Sequence, residues 1–189
     1  MLTPRRDALR NREAILRVAD HAFTHGSDAV PLQEIARRAG LGRATVYRHF
    51  PDRQALAAAV AAQQLELLRR AVDEFGDDPR SFRYLLRAVL STQATMRPLV
   101  TLMREMPVRD QQGHTDTLVG ILAAPFRRAQ AEGYLRADLE PGDLVLVLSM
   151  MEGAAGALPR PGPDRDAAAE RLIDVLIDGL FPRRRPPVS

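Results

Sequence analysis

Between Leu32 and Phe50 the chain runs LQEIARRAGLGRATVYRHF, and the side chains in it able to do chemistry carry guanidinium, hydroxyl and imidazole groups. Val46 and Phe50 are four residues apart, so on a helix they share one inward face. Arg43, Ala44, Thr45, Arg48 and His49 are left on the outward side. One exposed face with these groups can enter a DNA major groove and meet base edges and phosphates. Catalytic chemistry finds no comparable footing. The chain has no cysteine, which removes thiol nucleophiles, thiolate metal sites and disulfides. No serine–histidine–acid pattern, glycine-rich phosphate loop or metal-ligand spacing stands out, so neither an enzyme, a metal nor a cofactor is expected.

Such a face needs a scaffold. A short helix from Pro31 to Gly40 and a second from about Gly42 to His49, joined at Ala39-Gly40-Leu41, form a helix-turn-helix. Ile35, Ala36 and Ala39 give the first helix a narrow apolar stripe, and Gly40 supplies the positive φ of a tight turn. Arg37 and Arg38 read as solvated surface. Upstream, Leu9, Ile15, Leu16, Ala19, Ala22 and Phe23 recur at helical spacing, predicting a helix over 6–25 that stops at Gly26. Downstream, Pro51 and Asp52 open a long helix through Leu56, Val60, Leu67, Leu68 and Val72, ending near Gly76. Further helices are predicted from Asp78-Pro79 to Met96, from Pro98 to Met106, over 115–132 with a kink at Pro125, over 142–156 and over 165–180. Residues 107–114 and 159–164 read as loops, and 182–189 as a disordered tail. No segment alternates as a strand does, so the fold class is all-α with about nine helices.

The composition is that of an ordinary globular protein, with 189 residues, 46% hydrophobic and 27% charged. The pI of about 10.1 overstates basicity, because the chain contains no lysine to titrate near the usual lysine pKa. Residues 1–55 hold ten arginines and six acids, a net +4, whereas the remainder is net −1. A basic head on a nearly neutral body suggests an anionic partner for the head. No signal peptide and no apolar run of about 20 residues is found, so a cytoplasmic protein without a membrane partner is expected.

Ile35-Ala36, Ala39-Gly40, Thr45-Val46-Tyr47, His49-Phe50 and Asp52-Arg53-Gln54-Ala55-Leu56 together resemble the TetR family of regulators, named for the tetracycline repressor. The resemblance spans about Ala14 to Val60. It implies a DNA-binding domain over 6–55, with its motif at 32–50, and a helical ligand-binding and dimerisation domain over 56–181. Carried over position by position, Arg43 and Thr45 would read bases, with Ala44 against a thymine methyl. Tyr47, His49 and Arg53 would grip phosphates, and Arg48 would read either. Tyr47 could also be a half-buried core aromatic, a role compatible with a phosphate contact. The family usually has hydroxyl residues near 31 and at 42. Here Pro31 and Gly42 stand instead, so both helices lose a hydroxyl cap, although Gly42 stays among the DNA-facing positions.

In the carboxy-terminal half the resemblance implies an apolar ligand cavity. Its candidates are Phe82, Leu86, Met96, Leu99, Met103, Met106, Leu122 and Phe126, closed by Met150 or Met151, with Gln93, Arg104 and His114 as possible orienting groups. It also implies a homodimer through the last two helices. One stripe would be Leu144, Leu148 and Met151, the other Leu172, Val175 and Leu176, with Ala155 among small residues that let helices approach. The function implied is a transcription regulator on a palindromic operator, most simply a repressor relieved by a largely apolar small molecule. The fourth helix would be the only element touching both halves. An activator is the alternative within the class; a non-specific DNA-coating protein and a small helical enzyme are those outside it.

Overall fold

The computed structural model describes residues 4–25, 30–155 and 163–181, and among these it contains nine α-helices and one 3₁₀ turn. They are α1 (Pro4–His25), α2 (Leu32–Arg38), α3 (Arg43–His49), α4 (Arg53–Phe75), α5 (Ser81–Thr95), α6 (Arg97–Arg104), α7 (Val108–Ala131), the 3₁₀ turn Pro141–Asp143, α8 (Leu144–Ala155) and α9 (Pro163–Leu180). The expected tail at 182–189 and most of the 159–164 loop lie outside the described residues. The chain forms two compact units. The first takes residues up to Gln64 together with Thr95–Gln111, and the second takes Leu65–Ala94 and Gln112 onward.

In the first unit, Ile15, Ala19 and Phe23 from α1 meet Ile35 and Ala36 from α2, Val46 and Phe50 at α3, and Leu56 and Val60 from α4. All are buried at three- and four-residue spacing. Burying the larger of these side chains, the valines, leucine, isoleucines and phenylalanines, stabilises the fold by about 1.5–3 kcal/mol each. Polar ties complete it: the Gln64 amide donates to the Asp20 carboxylate at 2.7 Å, joining α4 to α1. The unit does not stop at residue 55. It runs on to Gln64 and also recruits α6, whose Leu99 and Leu102 join the same core beside Met96 and, in part, Met103.

The expected ligand-lining set is therefore divided. Phe82, Leu86, Leu122 and Phe126 pack in the second unit, while Met96, Leu99 and Met103 pack in the first, which also holds Met106. Leu99 and Leu102 are three apart and turn one face of α6 towards α1, which overrides the continuity suggested by sequence order. Of the polar candidates, Gln93 and His114 belong to the second unit and Arg104 to the first.

The expected loop at 107–114 is helical from Val108. Its first turn closes on the Pro107 carbonyl, with the amides of Asp110 at 2.8 Å and Gln111 at 3.2 Å. The Gln111 side-chain amide donates back to the carbonyls of Arg104 at 2.8 Å and Met106 at 2.7 Å. That side chain satisfies the exposed end of the preceding helix, so the reversal needs no loop. Pro125 is buried within α7. The helix expected from Pro79 begins at Ser81, because the Asp78 carboxylate accepts the Arg80 amide at 2.8 Å and holds a turn ahead of it.

The second unit is built around Phe82, which meets Phe126 edge-on at 5.3 Å and Phe181 at 5.8 Å between ring centroids. Leu144, Leu148 and Met151 of α8 and Ile173 and Ile177 of α9 are buried in this same core, with Leu172 and Leu176 packed partly against it. This corrects the expected dimer stripe. Those residues zip α8 to α9 within one chain, since both rows recur at helical spacing and satisfy each other. The opposite faces carry the exposed apolar residues: Leu146 at 62%, Met150 at 53% and Val175 at 70%. Of the expected interface set, Val175 alone is open among those described, and Met150 lies on the outer face rather than closing a cavity. The Ala155 side chain lies outside the described part. Ion pairs of Arg83 with Asp178 at 2.7 Å, and of Arg87 with Glu170 and Asp174 at 2.6 Å, also link α5 to α9. All five side chains are substantially exposed, so each pair contributes little.

Candidate nucleic-acid interface

The turn before the recognition helix is set by one residue. Gly40 has φ +67, the left-handed conformation that glycine adopts without strain. The Leu41 amide then reaches the Ala36 carbonyl at 3.0 Å and the Gly40 amide reaches Arg37 at 3.2 Å. This pair of bonds is a Schellman closure of α2. Gly42 follows in extended conformation and opens α3 without a side-chain cap, and Pro31 opens α2 in the same way. The hydroxyl caps missing from the sequence are thus missing from both helices, which are held by tertiary packing instead.

Val46 and Phe50 anchor α3 from beneath. Gly42, Arg43, Ala44, Tyr47 and Arg48 are exposed, and Thr45 and His49 are half-buried at the edges of that face. Tyr47 is 49% exposed, so its ring is no core aromatic. The structure brings together every residue assigned to this face from the sequence. Asp52 caps α4 by accepting the Ala55 amide at 2.7 Å, which fixes Arg53 as the first residue of that helix, beside Tyr47.

Tyr47 and Arg53 share a groove of about 600 Å³ in the first unit, with Gln33 at the start of α2, Gln54 on α4, and Leu102 and Glu105 at the end of α6. Gln33, Gln54 and Glu105 were not legible as part of this surface, since nothing in their local pattern points to it. Arg12 was also missed. Its guanidinium sits 4.7 Å from the centre of the Phe50 ring and steadies the end of α3. The neighbouring arginines of α2 are occupied. Glu34 accepts from Arg37 at 2.7 Å and from Arg38 at 2.8 Å, and these bonds, Arg37 first, hold its carboxyl down at about 2. Arg37 and Arg38 therefore share one carboxylate, which offsets only one of their two charges. In the second unit, burial lowers the His114 pKa.

A short helix with its polar face open, seated on a second helix through a glycine turn and flanked by a polar groove that holds Arg53, defines a helix-turn-helix DNA-binding regulator. Residues 15–60 match the family described as bacterial regulatory proteins, tetR family. Residues 79–182 match the C-terminal domain of SbtR-like transcriptional regulators. The chain is 39% identical over 181 residues to an uncharacterized HTH-type transcriptional regulator, Mb2274c, of Mycobacterium bovis, covering 94% of this chain and 82% of that protein. Among solved structures it is similar to a TetR transcription regulatory protein from Mycobacterium vanbaalenii, with 28% identity, TM-score 0.67, and 95% and 100% of the two chains covered. The TetR regulator SCO0520 of Streptomyces coelicolor is comparable, with 28% identity, TM-score 0.66, and 90% and 98% covered.

The protein belongs to the TetR family. It is a DNA-binding transcription regulator and not an enzyme. Among the described residues no helix is long and apolar enough to cross a membrane.

Proposed function

We propose that the protein is a transcription repressor that binds a palindromic operator as a homodimer and is released by a small molecule. The observation that carries this reading is the open face of α3, where Arg43, Ala44, Tyr47 and Arg48 are exposed while Val46 and Phe50 hold the helix in the core. Arg43 stands at the start of α3, where a guanidinium can form two hydrogen bonds to a guanine edge. Thr45 and Ala44 add a hydroxyl and a methyl for neighbouring bases. Tyr47, His49 and Arg53 supply donors for the phosphates that fix register.

The dimer reading rests on Leu146, Met150 and Val175, an apolar surface that a monomer would leave in water. The effector reading rests on the second unit, where Gln93 has a buried amide oxygen without a partner. An open pocket of about 370 Å³ also lies there, between Arg69, Val72 and Asp73 of α4 and Thr117, Gly120 and Ile121 of α7. Coupling has more than one route. The chain passes from one unit to the other within α4, and again on each side of Thr95–Gln111, so α4 is not the sole link. A differential affinity of about 1–3 kcal/mol between bound and released states is the usual scale of such coupling.

Hydroxyl-radical footprinting on DNA upstream of the protein's own gene tests this. Two protected half-sites about 34 Å apart, or a multiple of one helical turn, are expected for a two-fold dimer. Uniform weak protection would instead indicate a DNA-coating protein. Arg43→Ala is expected to weaken the site by about 1–3 kcal/mol and to relax preference at one base position in each half-site. A loss shared equally by all sequences would make Arg43 a phosphate contact only.

A further inference from the structure

The groove beside α3 carries a charge that DNA binding does not require. Among the residues lining it, Arg53 is the only cation, while Asp52 and Glu105 are acids. The carboxylate of Asp52 is committed to the Ala55 amide. Among the described residues no ion pair holds Arg53, and its Nε is buried without a hydrogen-bond partner. A buried donor without a protein acceptor leaves Arg53 free to take an oxygen from outside the chain. In the reading proposed above, on which this inference rests, that oxygen belongs to a backbone phosphate. Glu105 closes α6 through its backbone amide, but its carboxylate forms no ion pair with Arg53, and its side chain is exposed on the wall of the same groove. Its backbone, however, is held in place. The Gln54 amide donates to the Glu105 carbonyl at 3.3 Å, and the Gln111 amide grips the carbonyls on either side, of Arg104 at 2.8 Å and Met106 at 2.7 Å.

We propose that Glu105 is an electrostatic brake on operator binding: a carboxylate fixed at the end of α6 that opposes the phosphate entering at Arg53. A phosphate carries no sequence information, so the repulsion subtracts equally from operator and non-operator DNA. It thereby limits trapping on non-specific sites while leaving base discrimination to α3. Because Glu105 rides on α6 and not on α2 or α3, any displacement of α6 against the groove changes phosphate affinity without touching the base-reading face.

The test is fluorescence anisotropy of full-length Glu105→Gln and Glu105→Arg with operator and scrambled duplexes. Glu74→Gln, an exposed substitution of the same charge outside the groove, serves as the control. Glu105→Gln is expected to tighten both duplexes about 3- to 10-fold at low salt and Glu105→Arg to tighten them further. The gain should shrink as salt shortens the screening length from about 30 Å at 0.01 M to about 10 Å at 0.1 M. Combining Glu105→Gln with Arg53→Ala should remove most of the gain, because the two charges act on one phosphate. An unchanged or weaker affinity for Glu105→Gln overturns the proposal, as does an equal gain from Glu74→Gln. A wild-type protein that binds no duplex removes the operator reading and this inference with it. A wild type that binds normally, with a flat Glu105 series, removes this inference alone.

Discussion

Leu146→Glu combined with Met150→Glu is expected to leave a folded monomer whose operator affinity has fallen by about 10³-fold, into the non-specific range. Both side chains lie on the open face of α8, away from the Leu144–Leu148–Met151 row that packs against Ile173 and Ile177 within the chain. Charges placed there meet water in a monomer and so cost the fold little. In a dimer they would be buried against a second copy, where unpaired carboxylates are strongly unfavourable. A monomer presents one recognition helix instead of two and keeps only the contacts of a single half-site. Sedimentation velocity gives the mass and anisotropy the affinity. A double variant that remains dimeric and binds normally would move the interface elsewhere.

Phe82→Ala is expected to destabilise the protein by about 3–5 kcal/mol, the usual cost of removing a fully buried aromatic ring. Phe82 is completely enclosed and meets Phe126 edge-on and Phe181 at a tilt, so it joins α5, α7 and the end of α9. No small adjustment of three elements can refill that space. Val175→Ala on the open face should stay within about 0.5 kcal/mol in a monomeric measurement. Urea unfolding followed by near-ultraviolet circular dichroism reads both. A loss below about 1 kcal/mol at Phe82 would mean that the ring is not the centre of the second unit.

The legible parts of this fold are those decided over a few residues. Gly40 must take positive φ for α2 to close and α3 to begin, and Val46 and Phe50 leave one outward face for α3, so the turn, both helices and the exposed set followed from local pattern. Arg53 was placed by the cap at Asp52 in the same way. The faces of α8 were not legible for a physical reason. Leu144, Val145, Leu146, Val147 and Leu148 are apolar in succession, so periodicity selects no side, and only the arrival of Ile173 and Ile177 decides which row turns inward. The membership of α6 was hidden for a similar reason. Leu99 and Leu102 are equally good core residues for either unit, and the choice is made by α1, about 80 residues earlier. Glu105 inherits its place in the groove from that choice. The start of α7 depended on one amide, since Gln111 satisfies carbonyls that would otherwise need a loop and solvent.

The most direct test of sequence-specific binding is fluorescence anisotropy of the wild-type protein with DNA from upstream of its own gene and with a scrambled duplex of equal length, at matched salt. An advantage of about 10³-fold or more for a palindromic segment is predicted for an operator-binding regulator. Equal affinity for every native and scrambled duplex, falling together as salt rises, would contradict the account.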